Sequence, residues 1–279
     1  MNLDEELINT TIRIETKISD QIKGSGTGFF FNFCNDSENN TCIPAIVTNK
    51  HVVKGAISGE LVFNVFGDDE RPLIGKQIIS NIDNFESKWI MHPDSDIDLC
   101  VMPIGELINT FKIQGINIFY KGLSRDLIIK ETDFKSISDI EDVIFIGYPD
   151  KIYDKVNNRP IVRKGLTATS VKFDFEGKPL FLIDASVYGG SSGSPVYLYS
   201  NGLYCSGENS LALGRRFKFL GIISSTYKHF IGNEIKVEEI ETGTIKLSDD
   251  SFVPNHLGVV IKANQLLVFD DILKSIYNH

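Results

Sequence analysis

Gly189-Gly190-Ser191-Ser192-Gly193-Ser194-Pro195 is the stretch that decides how this chain folds. Glycine admits φ > 0, and proline fixes φ near about −65° and gives up its N–H. Seven such residues cannot run as a helix or a regular strand. They make a tight turn whose backbone N–H groups are left to point at something outside it. A serine held there, beside free N–H groups, combines a nucleophile with donors for an oxyanion, which is what acyl transfer needs. A Gly/Ser surface loop between two strands would have the same composition, so the decision rests on what lies upstream.

The chain has five histidines. His51 closes the apolar run of Ala45-Ile46-Val47-Thr48-Asn49-Lys50-His51-Val52-Val53, at a polar corner. A scaffold fixes a side chain there and still lets it reach solvent. His92 falls in Met91-His92-Pro93-Asp94, a loop signature, and His229, His256 and His279 fall in loops or at the terminus. Downstream, Asp96-Ile97-Asp98-Leu99-Cys100-Val101-Met102-Pro103 sets an aspartate directly before an apolar strand. Such a carboxylate either caps the strand or orients an imidazole. Asp96 and Asp98 both qualify, because strand alternation sends them to one face.

Four segments, in order, resemble trypsin-like serine proteases of the chymotrypsin fold, with bacterial trypsin-like and HtrA-like peptidase domains the nearest in character. Gly24-Ser25-Gly26-Thr27-Gly28-Phe29 is similar to the strand that opens those domains. Thr48-Asn49-Lys50-His51-Val52-Val53 resembles their histidine segment, and Asp98-Leu99-Cys100-Val101-Met102 their aspartate segment. Ser192-Gly193-Ser194-Pro195 resembles the segment that carries their nucleophile. The order His, Asp, Ser is also the chymotrypsin order, unlike that of subtilisins or α/β-hydrolases.

The resemblance implies an all-β fold: two antiparallel six-stranded β-barrels, residues 9–125 and 126–279, with a C-terminal helix packed on the second. It implies a triad of His51, Asp98 and Ser192, with Asp98 preferred to Asp96 because the apolar run follows it directly. The Gly190 and Ser192 N–H groups would form the oxyanion hole. Ser186, Ser224 and Thr226 would bind substrate: Ser186 at the base of the primary pocket, Thr226 narrowing its entrance, Ser224 lining it and helping to hold Asp98. An uncharged base offers nothing to a buried Lys or Arg, and an unpaired buried cation is costly. Cleavage after small or medium apolar residues is therefore expected. Ser191 stands where trypsin has an aspartate, so no ion pair with a freshly cut N-terminus can form. The implied function is a serine endopeptidase that attacks polypeptides through an acyl-enzyme. The rival reading is a catalytically inactive barrel of the same fold that serves as a protein-binding module.

The rest of the chain bounds this reading. A net charge of −9 argues against nucleic-acid binding by bulk electrostatics. No apolar run is long enough for a membrane-spanning helix. Cys34, Cys42, Cys100 and Cys205 include no C-x-x-C pair, so neither a metal nor a cofactor is expected. Reduced thiols, and a Met1–Leu7 segment lacking the pattern of a secretory leader, point to the cytoplasm. Cys34 and Cys42 flank an Asn-rich loop, and their pairing is left open. Short apolar segments recur between turn signals, as in barrels and sandwiches. Residues 200–216 and 230–251 read as polar surface insertions. The second holds Val237-Glu238-Glu239-Ile240-Glu241, a solvated face or a site for a regulatory protein partner. Residues 264–277 carry a helical apolar stripe.

Overall fold

The computed structural model describes residues 2–36, 38, 39, 41–67, 71–207, 210–230, 236–241 and 252–277. Helix α1 (Leu3–Ile8) precedes β1 (Thr11–Lys17), β2 (Lys23–Asp36) and β3 (Thr41–Thr48). The one-turn helix α2 (Lys50–Val53) leads to β4 (Ser58–Phe66), β5 (Pro72–Asp83), β6 (Ile90–Met91) and β7 (Cys100–Pro103). Helix α3 (Gly105–Ile113), β8 (Ile118–Phe119) and β9 (Leu123–Ser124) complete the first half. The second half comprises β10 (Asp142–Gly147), β11 (Ile161–Thr167), β12 (Leu180–Asp184), β13 (Pro195–Gly207), β14 (Ser210–Phe230), β15 (Lys236–Glu241), β16 (Phe252–Lys262) and helix α4 (Val268–Tyr277).

The fold is a chymotrypsin-like pair of β-domains. In the second, the order β13-β10-β11-β12-β16-β14 returns on itself because β13 also pairs with β14. That closes a ring of six strands, and β15 adds outside it on β14. The first follows the path β5-β4-β1-β2-β3-β7-β6, with β8 on β4 and β9 on β2. It has nine strands where six are expected, because three of them are two-residue pieces laid against longer neighbours. Among the described residues no ladder joins β5 to β6 or β7, so this sheet is not closed by hydrogen bonds.

The packing explains the aromatic run in β2. Successive strand residues face opposite sides. Phe30 enters the first interior with Ile12, Ile14, Ile46 and Phe63. Phe29, Phe31 and Phe33 face the other way, into a larger core shared with Ile146, Tyr197 and Phe219 of the second sheet. A strand buried on both faces needs no alternation, so four phenylalanines crowd into five positions. The second interior holds Val143, Phe145, Phe181, Ile183 and Val260.

The two chain ends cross over. The C-terminal helix docks on the first domain, not on the second as expected. Leu266, Phe269 and Leu273 join the shared core, and the Phe269 ring meets Phe33 at 6.1 Å and His92 at 5.6 Å. Asp270 accepts the Cys34 N–H at 2.7 Å. The reason is β2 itself, whose outward phenylalanines would otherwise face water. At the other end, the Tyr199 hydroxyl on β13 donates to Asp4 at 2.6 Å, and Thr10 and Tyr197 share a hydroxyl hydrogen bond of 3.1 Å.

Within the surface insertion at 200–216, residues 200–207 and 210–216 are strand. There β13 and β14 run on as a two-stranded ribbon, from Asn201 opposite Arg215 to Gly207 opposite Ser210. Of the second insertion, residues 231–235 and 242–251 lie outside the described residues. The acidic run is a strand by its backbone, and its side chains also lie outside what is described.

Candidate active site

The site is assembled from three chain segments that meet between the domains. The first is the end of β3. The Thr48 hydroxyl donates to the Thr27 carbonyl at 2.8 Å, and α2 then turns His51 inward. The second is the loop before β7. Its Asp98 accepts the His51 backbone N–H through Oδ1 (3.1 Å) and lies 2.6 Å from His51 Nδ1 through Oδ2. Asn49 Nδ2 donates to the Asp98 carbonyl at 2.8 Å, and the Ser224 hydroxyl donates to Asp98 Oδ2 at 3.1 Å. A carboxylate held at three points fixes the imidazole with its proton on Nδ1, leaving Nε2 bare. Asp96 is exposed, and its N–H closes a turn on the Asp94 carboxylate. Only Asp98 reaches the ring, because residues 94–97 form a turn rather than an alternating strand.

The third segment is the glycine turn. Ser192 Oγ lies 2.9 Å from His51 Nε2 and 3.0 Å from the Ser224 carbonyl, so its one proton has two acceptors. The turn is tied down on every side. Ser194 N–H bonds the Ser191 carbonyl (3.0 Å), Gly193 N–H the Ile223 carbonyl (2.9 Å), and Asp150 N–H the Gly189 carbonyl (2.5 Å). Gly190 and Gly193 have φ of +80° and +83°, where a side chain is strained. Ser191 is buried, and its N–H bonds the Tyr188 carbonyl at 3.1 Å, so local bonds serve where trypsin has an ion pair. The Gly190 N–H has no hydrogen-bond partner among the described residues. Ser192 is fully buried and His51 nearly so.

The three substrate-binding candidates divide. Ser224 touches the triad directly, as above. Thr226 is buried on β14 opposite Gly258, and its hydroxyl donates to the Leu257 carbonyl at 2.9 Å. Ser186 is half-buried, with Oγ 3.2 Å from His256 Nδ1. Its carbonyl accepts Arg163 Nη1 at 2.7 Å, and that guanidinium covers the Tyr188 ring at 4.8 Å. Ser186 itself is neutral, but a guanidinium and an imidazole lie beside it. His256 belongs to β16, not to a loop. Beside the triad, Cys100 is buried, and burial together with the Asp98 charge pushes its thiol well above the ordinary range. Among the described residues no cluster of three His, Cys, Asp or Glu could hold a metal.

The trypsin-like peptidase domain family matches residues 26–203, more than half of the chain. A search of curated proteins returns no match. Among solved structures the chain is similar to a serine endoprotease from Yersinia pestis, at 14% identity and a TM-score of 0.45, covering 99% of this chain and 66% of that one. It is similar to a catalytically inactive tobacco etch virus protease complexed with substrate, at 13% identity and a TM-score of 0.48, covering 99% and 87%. It is also similar to an inactivated protease paralogue of the scabies mite, at 10% identity and a TM-score of 0.45, covering 97% and 96%.

Proposed function

The chain belongs to the trypsin-like peptidase domain family, and from that premise we propose that it is a serine endopeptidase acting on polypeptides through an acyl-enzyme. The observation that carries this is the unbroken line of contacts from Asp98 Oδ2 to His51 Nδ1 (2.6 Å) and from His51 Nε2 to Ser192 Oγ (2.9 Å). Ser192 Oγ attacks the scissile carbonyl as His51 Nε2 takes its proton. His51 then gives that proton to the leaving amine, and water repeats the sequence to release the acid. Asp98 holds the tautomer and stabilises the imidazolium without itself being protonated. The Gly190 and Ser192 N–H groups receive the negative oxygen of the tetrahedral intermediate. The free thiols of Cys34, Cys42 and Cys100 support a reducing, cytoplasmic setting.

One observation favours the rival reading of an inactive, protein-binding barrel: the complete burial of Ser192. A fluorophosphonate probe separates the two. The proposal expects a covalent adduct on Ser192 and cleavage of a peptide library by the wild type. Ser192→Ala and His51→Ala should each lower turnover by at least about 10⁴-fold, and the double variant should be no worse, because the groups act as a unit. An unlabelled Ser192 together with an uncut library would leave the binding module as the function.

A further inference from the structure

Thr27 is wholly buried on β2, and all its polar groups serve the nucleophile turn or its supports. Its N–H donates to the Ser192 carbonyl at 2.9 Å. Its hydroxyl donates to the Gly190 carbonyl at 2.9 Å and accepts the Tyr148 N–H at 2.9 Å. Its carbonyl accepts the Thr48 hydroxyl, just before His51. We propose that Thr27 is the positioning residue of the oxyanion site: its hydroxyl holds the peptide units around Gly190 so that the Gly190 N–H faces the substrate carbonyl. This rests on the peptidase reading above.

A trans peptide unit is planar, so its N–H and C=O point opposite ways. The Asp150 N–H holds the Gly189 carbonyl, which turns the Gly190 N–H in the other direction. The next unit begins with the Gly190 carbonyl, and the Thr27 hydroxyl holds that one. By accepting the Tyr148 N–H, the same hydroxyl anchors the turn that brings Asp150 to Gly189. Gly190, at φ +80°, has no side chain to restrain it, and a Cβ there would lie 2.6 Å from the Tyr148 carbonyl. Without the hydroxyl, both units flanking a glycine lose a restraint. The Tyr148 N–H and the Gly190 carbonyl then seek partners inside a buried site.

Thr27→Val keeps the shape and removes the hydroxyl, and Thr27→Ser keeps the hydroxyl. Steady-state kinetics on a cleaved peptide should show kcat reduced about 10²-fold in Thr27→Val with KM within about twofold, as for loss of one oxyanion donor. A peptide boronate, which mimics the tetrahedral intermediate, should lose affinity in parallel. Thr27→Ser should stay within about threefold of wild type. Amide exchange over residues 147–150 should quicken in Thr27→Val and not in Thr27→Ser. If Thr27→Val does not fold, Thr27→Cys, a weak donor of similar size, takes its place with the same expected split. Wild-type kcat in the hydroxyl-free variant, equal losses in both variants, or a loss confined to KM would overturn the assignment. If the wild type neither cuts nor is labelled, the peptidase reading has failed on its own terms. Exchange over 147–150 still decides the clamp, and unchanged protection in Thr27→Val refutes it.

Discussion

Ser224 illustrates how single residues are used twice. Its hydroxyl steadies Asp98 and its carbonyl lies 3.0 Å from the nucleophile. Ser224→Ala removes only the first contact, and Asp98 keeps both bonds to His51. A charge-assisted hydrogen bond contributes about 1.5–3 kcal/mol, so kcat should fall by about one to two orders of magnitude with KM little changed. A loss as deep as that of His51→Ala would mean that Ser224 does more than position the carboxylate. Specificity is also a residue-scale matter. With Arg163 and His256 beside Ser186, a Lys or Arg side chain brought to Ser186 meets a fixed guanidinium. Substrates varied only before the scissile bond should be slowest with Lys or Arg, and a chromogenic panel led by either would refute this. The meeting of His51, Asp98 and Ser192 is legible because each lies in a telling local pattern. Thr27, Arg163 and His256 carry no such local mark, because their partners lie 163, 23 and 70 positions away.

Among the elements, β2 and α4 make the seam that matters most. Phe31 is 1% exposed within it, and Phe31→Ala should cost about 3–5 kcal/mol in denaturant unfolding. The segment between β6 and Asp98 adds a dependence on pH. Burial holds the His92 imidazole below its ordinary range, partly offset by Asp94, while Lys50 pushes the same way as burial. Its Nδ1 accepts the Asp94 N–H at 3.1 Å, so the neutral ring shapes the turn that leads to Asp98. The unfolded chain takes up the proton first. The stability this provides is full above about pH 6.5 and is lost as pH falls below that. Melting curves from pH 8 to 5 should drop more steeply for the wild type than for His92→Gln, and parallel slopes would rule His92 out. Buried strands such as 28–33 and 142–146 were readable from their apolar runs. The ribbon at 200–216 was not, because with both faces in water no residue pattern marks a strand; Leu203 and Leu213 stand 68% and 83% exposed. Helix α1 escaped for a related reason: its six residues bury only Leu7, and its Asn2 cap and acidic first turn carry the signal instead.

At the scale of the whole molecule, the meeting of His51 and Asp98 with Ser192 is a contact between two domains. His51 and Ser192 are 141 positions apart, and the shared phenylalanine core behind them sets their distance. A chain ending at Leu267 keeps every triad residue but lacks Phe269 and Leu273. It should unfold at lower denaturant and lose most turnover, whereas a chain shortened by the ribbon at 201–207 and 210–215 should keep both. Full activity in the chain ending at Leu267 would show that the clasp of α4 on β2 is dispensable. That clasp also bears on the order of events during biosynthesis. A ribosome makes α4 after His51, Asp98 and Ser192, so the piece that braces the first domain follows the residues it steadies. A polypeptide not yet extended to α4 would therefore carry His51, Asp98 and Ser192 without that brace, and on the peptidase reading it would be held back from cutting until the helix had been made.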